Sequence, residues 1–148
     1  MQSGKRQTDN KELALLVAVQ FSDTSEEEIE VQLDELELLA ETAGANIEDR
    51  VVQKRSKIDA ATFIGKGKIS SIISQAKELE LHIIIFNDEL SPTQIKNIQK
   101  LAGDSIKILD RTGLILDIFD SHARSKEAKT QIKLARLEYM LPRLTRQW

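Results

Sequence analysis

Apolar residues follow two rhythms along this chain, and the rhythms alternate. Residues 13–21 (LALLVAVQF) form a nearly unbroken apolar run, the pattern of a strand covered on both faces. Ser25-Glu26-Glu27-Glu28 reads as a capping box. After it Ile29, Leu33, Leu36, Ala40 and Ala43 recur at helical spacing until Gly44, which predicts an amphipathic helix with a glycine stop. Residues 47–54 give a weaker strand. Phe63 and Ile64 lead into Gly65-Lys66-Gly67-Lys68, and a second helix follows with Ile69, Ile72, Ile73, Ala76 and Leu79 on one side. HIIIFN at 82–87 is the clearest buried strand. Ser91-Pro92-Thr93-Gln94 combines an N-cap, a proline at the first helical position and a glutamine at the third. Its helix buries Ile95, Ile98 and Leu101 and ends at Gly103. Residues 105–110 predict a fourth strand, and 113–123 a helix with Ile115, Ile118 and Phe119 inward. Four alternations of strand and helix imply an α/β fold: a four-stranded parallel sheet with helices on both faces and right-handed crossovers.

The last segment, 125–148, has a different pattern. At 100° per residue its apolar side chains form two stripes. Ala128, Ile132, Ala135 and Tyr139 share one side; Leu134, Leu137, Leu141 and Leu144 share nearly the opposite side; Lys126, Lys129, Lys133, Arg136 and Arg143 fall between. A helix with two apolar faces needs two neighbours. The α/β unit supplies one. The segment therefore reads as a long basic helix that is the first half of a helical hairpin, kinked or restarted at Pro142, with Trp148 as an apolar end. A homodimer through this helix, or a tail folded back on its own domain, is the plainer alternative.

Composition narrows the class. The chain has 148 residues, 41% hydrophobic and 30% charged, enough for one globular core. It contains no cysteine, which excludes disulfides, thiolate metal sites and a cysteine nucleophile, and suits a cytoplasmic location. The longest apolar run is too short to span a bilayer, and the polar leader 1–12 resembles no signal peptide. The net charge of −3 conceals an asymmetry. Residues 22–49 hold eleven acidic side chains and no Lys or Arg, whereas 121–148 hold seven Lys or Arg against two acids. Any nucleic-acid contact is thus expected at the C-terminal end.

Local chemistry is sparse. Gly65-Lys66-Gly67-Lys68 is not a Walker A loop, because Thr62 and Ile69 occupy the positions that require glycine and Ser/Thr. As a glycine-rich turn entering a helix, Gly65, Gly67 and Lys68 could still hold a phosphate. Ser22-Asp23, Asn87-Asp88-Glu89 and Asp110-Arg111-Thr112 should lie beyond the strands' carboxyl ends, where doubly wound sheets bind ligands; helix capping accounts for most of them, and no metal site is expected. His82 and His122 lack partners at ligand spacing. No catalytic residue is identified.

Four strings carry a family likeness: LAETAGA at 39–45, TFIGKGK at 62–68, FNDELSPTQIKNIQ at 86–99, and DRTGLILDIFDSHARSKEAKTQIKLARLEYMLPRLTRQW at 110–148. Their order and spacing resemble the N-terminal part of HflX-type GTPases, ribosome-associated members of the translation-factor-related GTPase class. The resemblance implies a polar leader (1–12), an α/β subdomain (13–123) and the start of a hairpin subdomain (124–148), with the GTPase domain absent from this chain. It implies binding to the large ribosomal subunit and its rRNA, splitting or rescue of stalled ribosomes under stress, and contact with the protein's own GTPase domain. GTP and Mg²⁺ are implied only for the full-length relative, with no cofactor in this part. Arg124, Lys126, Lys129, Lys133, Arg136, Arg143 and Arg146 become candidate RNA contacts, with Arg111 a weaker one. The alternative is a small nucleotide (ATP)-binding regulatory module built on Gly65, Gly67 and Lys68; a lid that restrains the GTPase domain is compatible with the ribosome-binding reading.

Overall fold

The computed structural model of the chain describes residues 11–143. The expectations for most of the polar leader, and for Leu144, Arg146 and Trp148, lie outside the described residues. Four strands and five α-helices alternate: β1 (Glu12–Gln20), α1 (Glu26–Thr42), β2 (Ala45–Lys54), α2 (Lys66–Glu78), β3 (Ile83–Phe86), α3 (Pro92–Ala102), β4 (Lys107–Asp110), α4 (Arg111–His122) and α5 (Lys126–Met140), closed by a 3-10 turn at Leu141–Arg143. The sheet is parallel throughout, in the order β2-β1-β3-β4. Strand order reverses direction between β1 and β3, so the crevice beyond their carboxyl ends is the topological switch point.

The alternation of side chains across the strands splits the core into two layers. Leu15, Val17 and Val19 of β1 face Ile69, Ile72, Ala76, Ile95 and Ile98 of α2 and α3. Ala14, Leu16 and Ala18 face Ile29, Leu33, Leu36 and Ala40 of α1, with Leu114 of α4. A sheet covered on both faces requires the continuous apolar runs seen in β1 and β3.

Caps set the helix starts. Ser25 accepts from the Glu28 amide at 3.1 Å. Ser91 and Gln94 form a complete capping box, at 3.1 and 2.8 Å. Asp110 caps α4 by accepting from the Gly113 amide at 2.9 Å.

Three sequence expectations change. The second strand is not weak: it is ten residues long and pairs with β1 throughout, with one register shift at Ala14/Leu15. The fourth helix begins at Arg111, so it buries Gly113 and Leu114 and half-buries Ile118, while Phe119 is 53% exposed. Leu79 does not join the buried side of α2; it is the C-cap, and it is exposed.

Candidate nucleic-acid interface

The C-terminal helix is held to the α/β unit by buried polar contacts. Asp110 is fully buried. Its Oδ1 accepts from the Gly113 amide at 2.9 Å and from the Tyr139 hydroxyl, and its Oδ2 accepts from the Leu90 amide at 3.0 Å. One carboxylate thus joins the end of β4, the start of α4, the loop after β3 and the last turn of α5. Burial, followed by the neighbouring Asp110 carboxylate, pushes the Tyr139 phenol well above its ordinary value, so the hydroxyl stays a donor. Arg143 stacks 3.8 Å over the Tyr139 ring and donates to the Tyr139 carbonyl at 2.6 Å and to the Leu90 carbonyl at 3.2 Å. Gly113 makes room for this latch, since a Cβ there would sit 2.9 Å from the Tyr139 hydroxyl. Further along the helix, Arg136 donates to Asp117 of α4 at 2.6 Å.

Docking in this way fixes which side of α5 faces water. Ala128, Ile132, Ala135 and Tyr139 are half-buried. Leu134, Leu137 and Leu141 remain 53%, 55% and 50% exposed. Lys126, Lys129 and Lys133 are exposed in a band alongside the leucines, with Arg124 exposed just ahead of the helix. Among the described residues none of these four cations forms an ion pair, whereas most acids on α1 have one: Arg50 pairs with Glu30, Asp34 and Glu37, Arg111 with Glu35 and Lys54 with Glu26.

The candidate residues thus fall into two groups in the structure. Arg136 and Arg143 are engaged within the chain as described. Arg111 is also committed: it donates to the Asn87 carbonyl at 3.1 Å, to Asn87 Oδ1 at 2.6 Å, to Glu35 at 2.8 Å and to the Gln32 carbonyl at 3.3 Å. It ties the carboxyl end of β3 to α1. The partners of Arg136 and Arg111 lie 19 to 79 positions away in sequence, where no local pattern reveals them. Arg124, Lys126, Lys129 and Lys133 are left as outward-facing cations.

At the switch point Asp88 has one carboxylate oxygen buried without a partner, and burial pushes its carboxyl up, against the Val19 amide and the Arg111 charge. No group of three or more potential ligands suited to a metal ion occurs among the described residues. Gly65 precedes α2 at φ +90°, a conformation that favours glycine, and α2 has no side-chain cap. Thr62 and Ile69 are buried, so this turn does not fit a triphosphate and its Mg²⁺ as a P-loop would. No described helix is long and apolar enough to cross a membrane.

Comparison with known proteins converges on one family. The profile described as "GTP-binding GTPase N-terminal" matches residues 30–120, and that described as "GTP-binding GTPase Middle Region" matches 122–148. GTPase HflX of Caldanaerobacter subterraneus is 47% identical over 91% of this chain and 30% of its own length. That of Alkalihalophilus pseudofirmus is 43% identical over 92% and 31%, and that of Escherichia coli 36% over 95% and 32%. The chain thus spans about a third of the relatives it matches. A crystal structure of SsGBP with GDP superposes with a TM-score of 0.70 at 29% identity, covering 90% of this chain and 36% of that one. A GTP-binding protein from Sulfolobus solfataricus in complex with GDP superposes at 0.67 and 28%, covering 89% and 38%.

Proposed function

This chain belongs to the HflX-type GTPase family, as its N-terminal region running into the start of the middle region, and from that premise we propose that it is the arm by which the whole protein binds ribosomal RNA on the large ribosomal subunit. The observation that carries this reading is α5. The helix is latched at a fixed angle through Asp110 and Tyr139, and it turns Lys126, Lys129 and Lys133 outward beside an uncovered leucine stripe. The leucines are the seat for the returning half of a helical hairpin, a closed C2 dimer being the other occupant that geometry admits. The lysines contact RNA phosphates, supplying affinity without reading sequence. Guanine nucleotide and Mg²⁺ belong to the remainder of the protein, and splitting or rescue of stalled ribosomes in the cytoplasm is the task of the whole.

Charge reversal at Lys126, Lys129 and Lys133 in the full-length protein tests the reading by sedimentation with large subunits across a salt titration. Each lost phosphate contact removes about 0.7–0.9 from the slope of log affinity against log salt, so the triple variant should flatten it by about two. An unchanged affinity and slope would contradict the proposal.

A further inference from the structure

A second positive patch lies at the carboxyl ends of β1 and β2, on a part of the molecule that α5 does not use. Five cations meet there: Lys54, Arg55 and Lys57 at and after the end of β2, and Lys66 and Lys68 in the first turn of α2. Arg55 joins the two segments. Its Nε donates to the Lys57 carbonyl at 3.1 Å and its Nη1 to the Ile64 carbonyl at 2.7 Å, and the guanidinium lies 3.2 Å from where a Cβ on Gly65 would stand. Lys57, Lys66 and Lys68 are exposed and have no ion pair among the described residues. Lys54 reaches Glu26 at 3.5 Å, but both side chains are mostly in solvent, where such a pair is worth little. The acid between the segments is spent internally: Asp59 Oδ1 accepts from the Ala61 and Thr62 amides, both at 2.8 Å, and from the Thr62 hydroxyl.

A cleft of about 380 Å³ opens at this patch, with Phe21, Ser22, Thr24, Lys54, Arg55 and Ser56 on its walls. Phe21 is half-buried there, and Ile58 stands exposed on the adjoining loop. Cations around an aromatic wall are the equipment of a surface for unpaired nucleic acid, whose phosphates take the charge and whose bases stack. A small free nucleotide is a poorer fit. Its sites bury most of the ligand against fixed polar groups, whereas this cleft is open and Lys54 on its wall, like Lys57, Lys66 and Lys68 around it, stands in water. Asp23 and Glu26 border the patch on the α1 side, which directs a polyanion toward α2.

We propose that Lys54, Arg55, Lys57, Lys66 and Lys68 form a second RNA-contact surface, which takes a single-stranded RNA backbone independently of α5. The inference rests on the ribosome-binding reading for the RNA it meets. Its test uses the full-length protein, an edge variant (Lys57→Glu, Lys66→Glu, Lys68→Glu) and the α5 variant, each checked for an unchanged thermal melt. The probes are large ribosomal subunits, a labelled oligouridylate and ATP. The edge variant should lose tenfold or more in affinity for subunits and for oligouridylate, with the salt slope on the oligonucleotide falling by about two. A neutral version with glutamines should fall between the edge variant and wild type. If the edge variant binds both RNAs like wild type while the α5 variant fails on subunits, the second surface is refuted and the ribosome reading stands. If wild type ignores subunits but loses oligouridylate binding on edge reversal, the ribosome reading falls and the surface remains. Saturable ATP binding abolished by edge reversal, with oligouridylate binding intact, would overturn the proposal in favour of a small-nucleotide site.

Discussion

Replacing Asp110 by alanine should cost about 3–5 kcal/mol and lower the midpoint of thermal unfolding by roughly 10 °C or more. The carboxylate is fully buried and accepts from Leu90, Gly113 and Tyr139. Truncation leaves three donors facing a space that water enters poorly, at about 1–3 kcal/mol for each that stays unmet. A loss of this size is a large fraction of the ~5–15 kcal/mol that holds an ordinary domain together. Tyr139→Phe removes only one of the three donors and should cost far less. Asp110→Asn keeps two acceptor positions at most and should lie between. Thermal melts of the three variants check the order. If Asp110→Ala melted with wild type, the latch would be an ornament and α5 would not be held by it.

Changing Leu134, Leu137 and Leu141 together to aspartate should be nearly neutral in one context and severe in another. In the 148-residue chain these side chains are about half exposed, and surface changes of this kind usually lie within about 0.5 kcal/mol each. On the proposed reading, the same positions in the full-length protein form the seam of a hairpin. Each seated leucine then contributes about 1.5–3 kcal/mol, and each aspartate adds a buried charge, so the combined loss should exceed about 5 kcal/mol and disorder the hairpin. Limited proteolysis of both forms reads the difference. Equal tolerance in both would mean that nothing in the parent protein covers this face.

Local pattern disclosed most of the scaffold. The buried strands β1 and β3 are legible because a sheet covered on both faces demands continuous apolar runs, and α3 because Ser91, Pro92 and Gln94 write its start. The apparent weakness of β2 in the sequence comes from Glu48, Asp49 and Arg50 in mid-strand: Glu48 and Asp49 are exposed on an edge strand, and Arg50 is half-buried where it gathers three carboxylates of α1. The buried part of α4 is not legible from Gly113 onward, because the helix starts two residues earlier, just after the Asp110 cap, and buries Gly113 and Leu114 in its first turn while Phe119 stays exposed. On α5 the two stripes were visible in the sequence, and so was the band of lysines. What separates Lys129 from Arg136 was not visible, because it depends on Asp117, 19 residues upstream. The latch between Asp110 and Tyr139 spans 29 residues and likewise leaves no local trace.

The absence of cysteine from these 148 residues permits a direct measurement of which face meets RNA. A single cysteine placed at Lys133, in a full-length protein with no other cysteine, can carry a tethered iron chelate that cleaves nearby RNA. A second version carries it at Glu41, on the acidic helix α1. With the protein bound to large ribosomal subunits, strand breaks should cluster around the probe at position 133 and be absent from position 41. Equal cleavage from both positions, or breaks from 41 alone, would contradict the assignment of α5 as the RNA-facing helix.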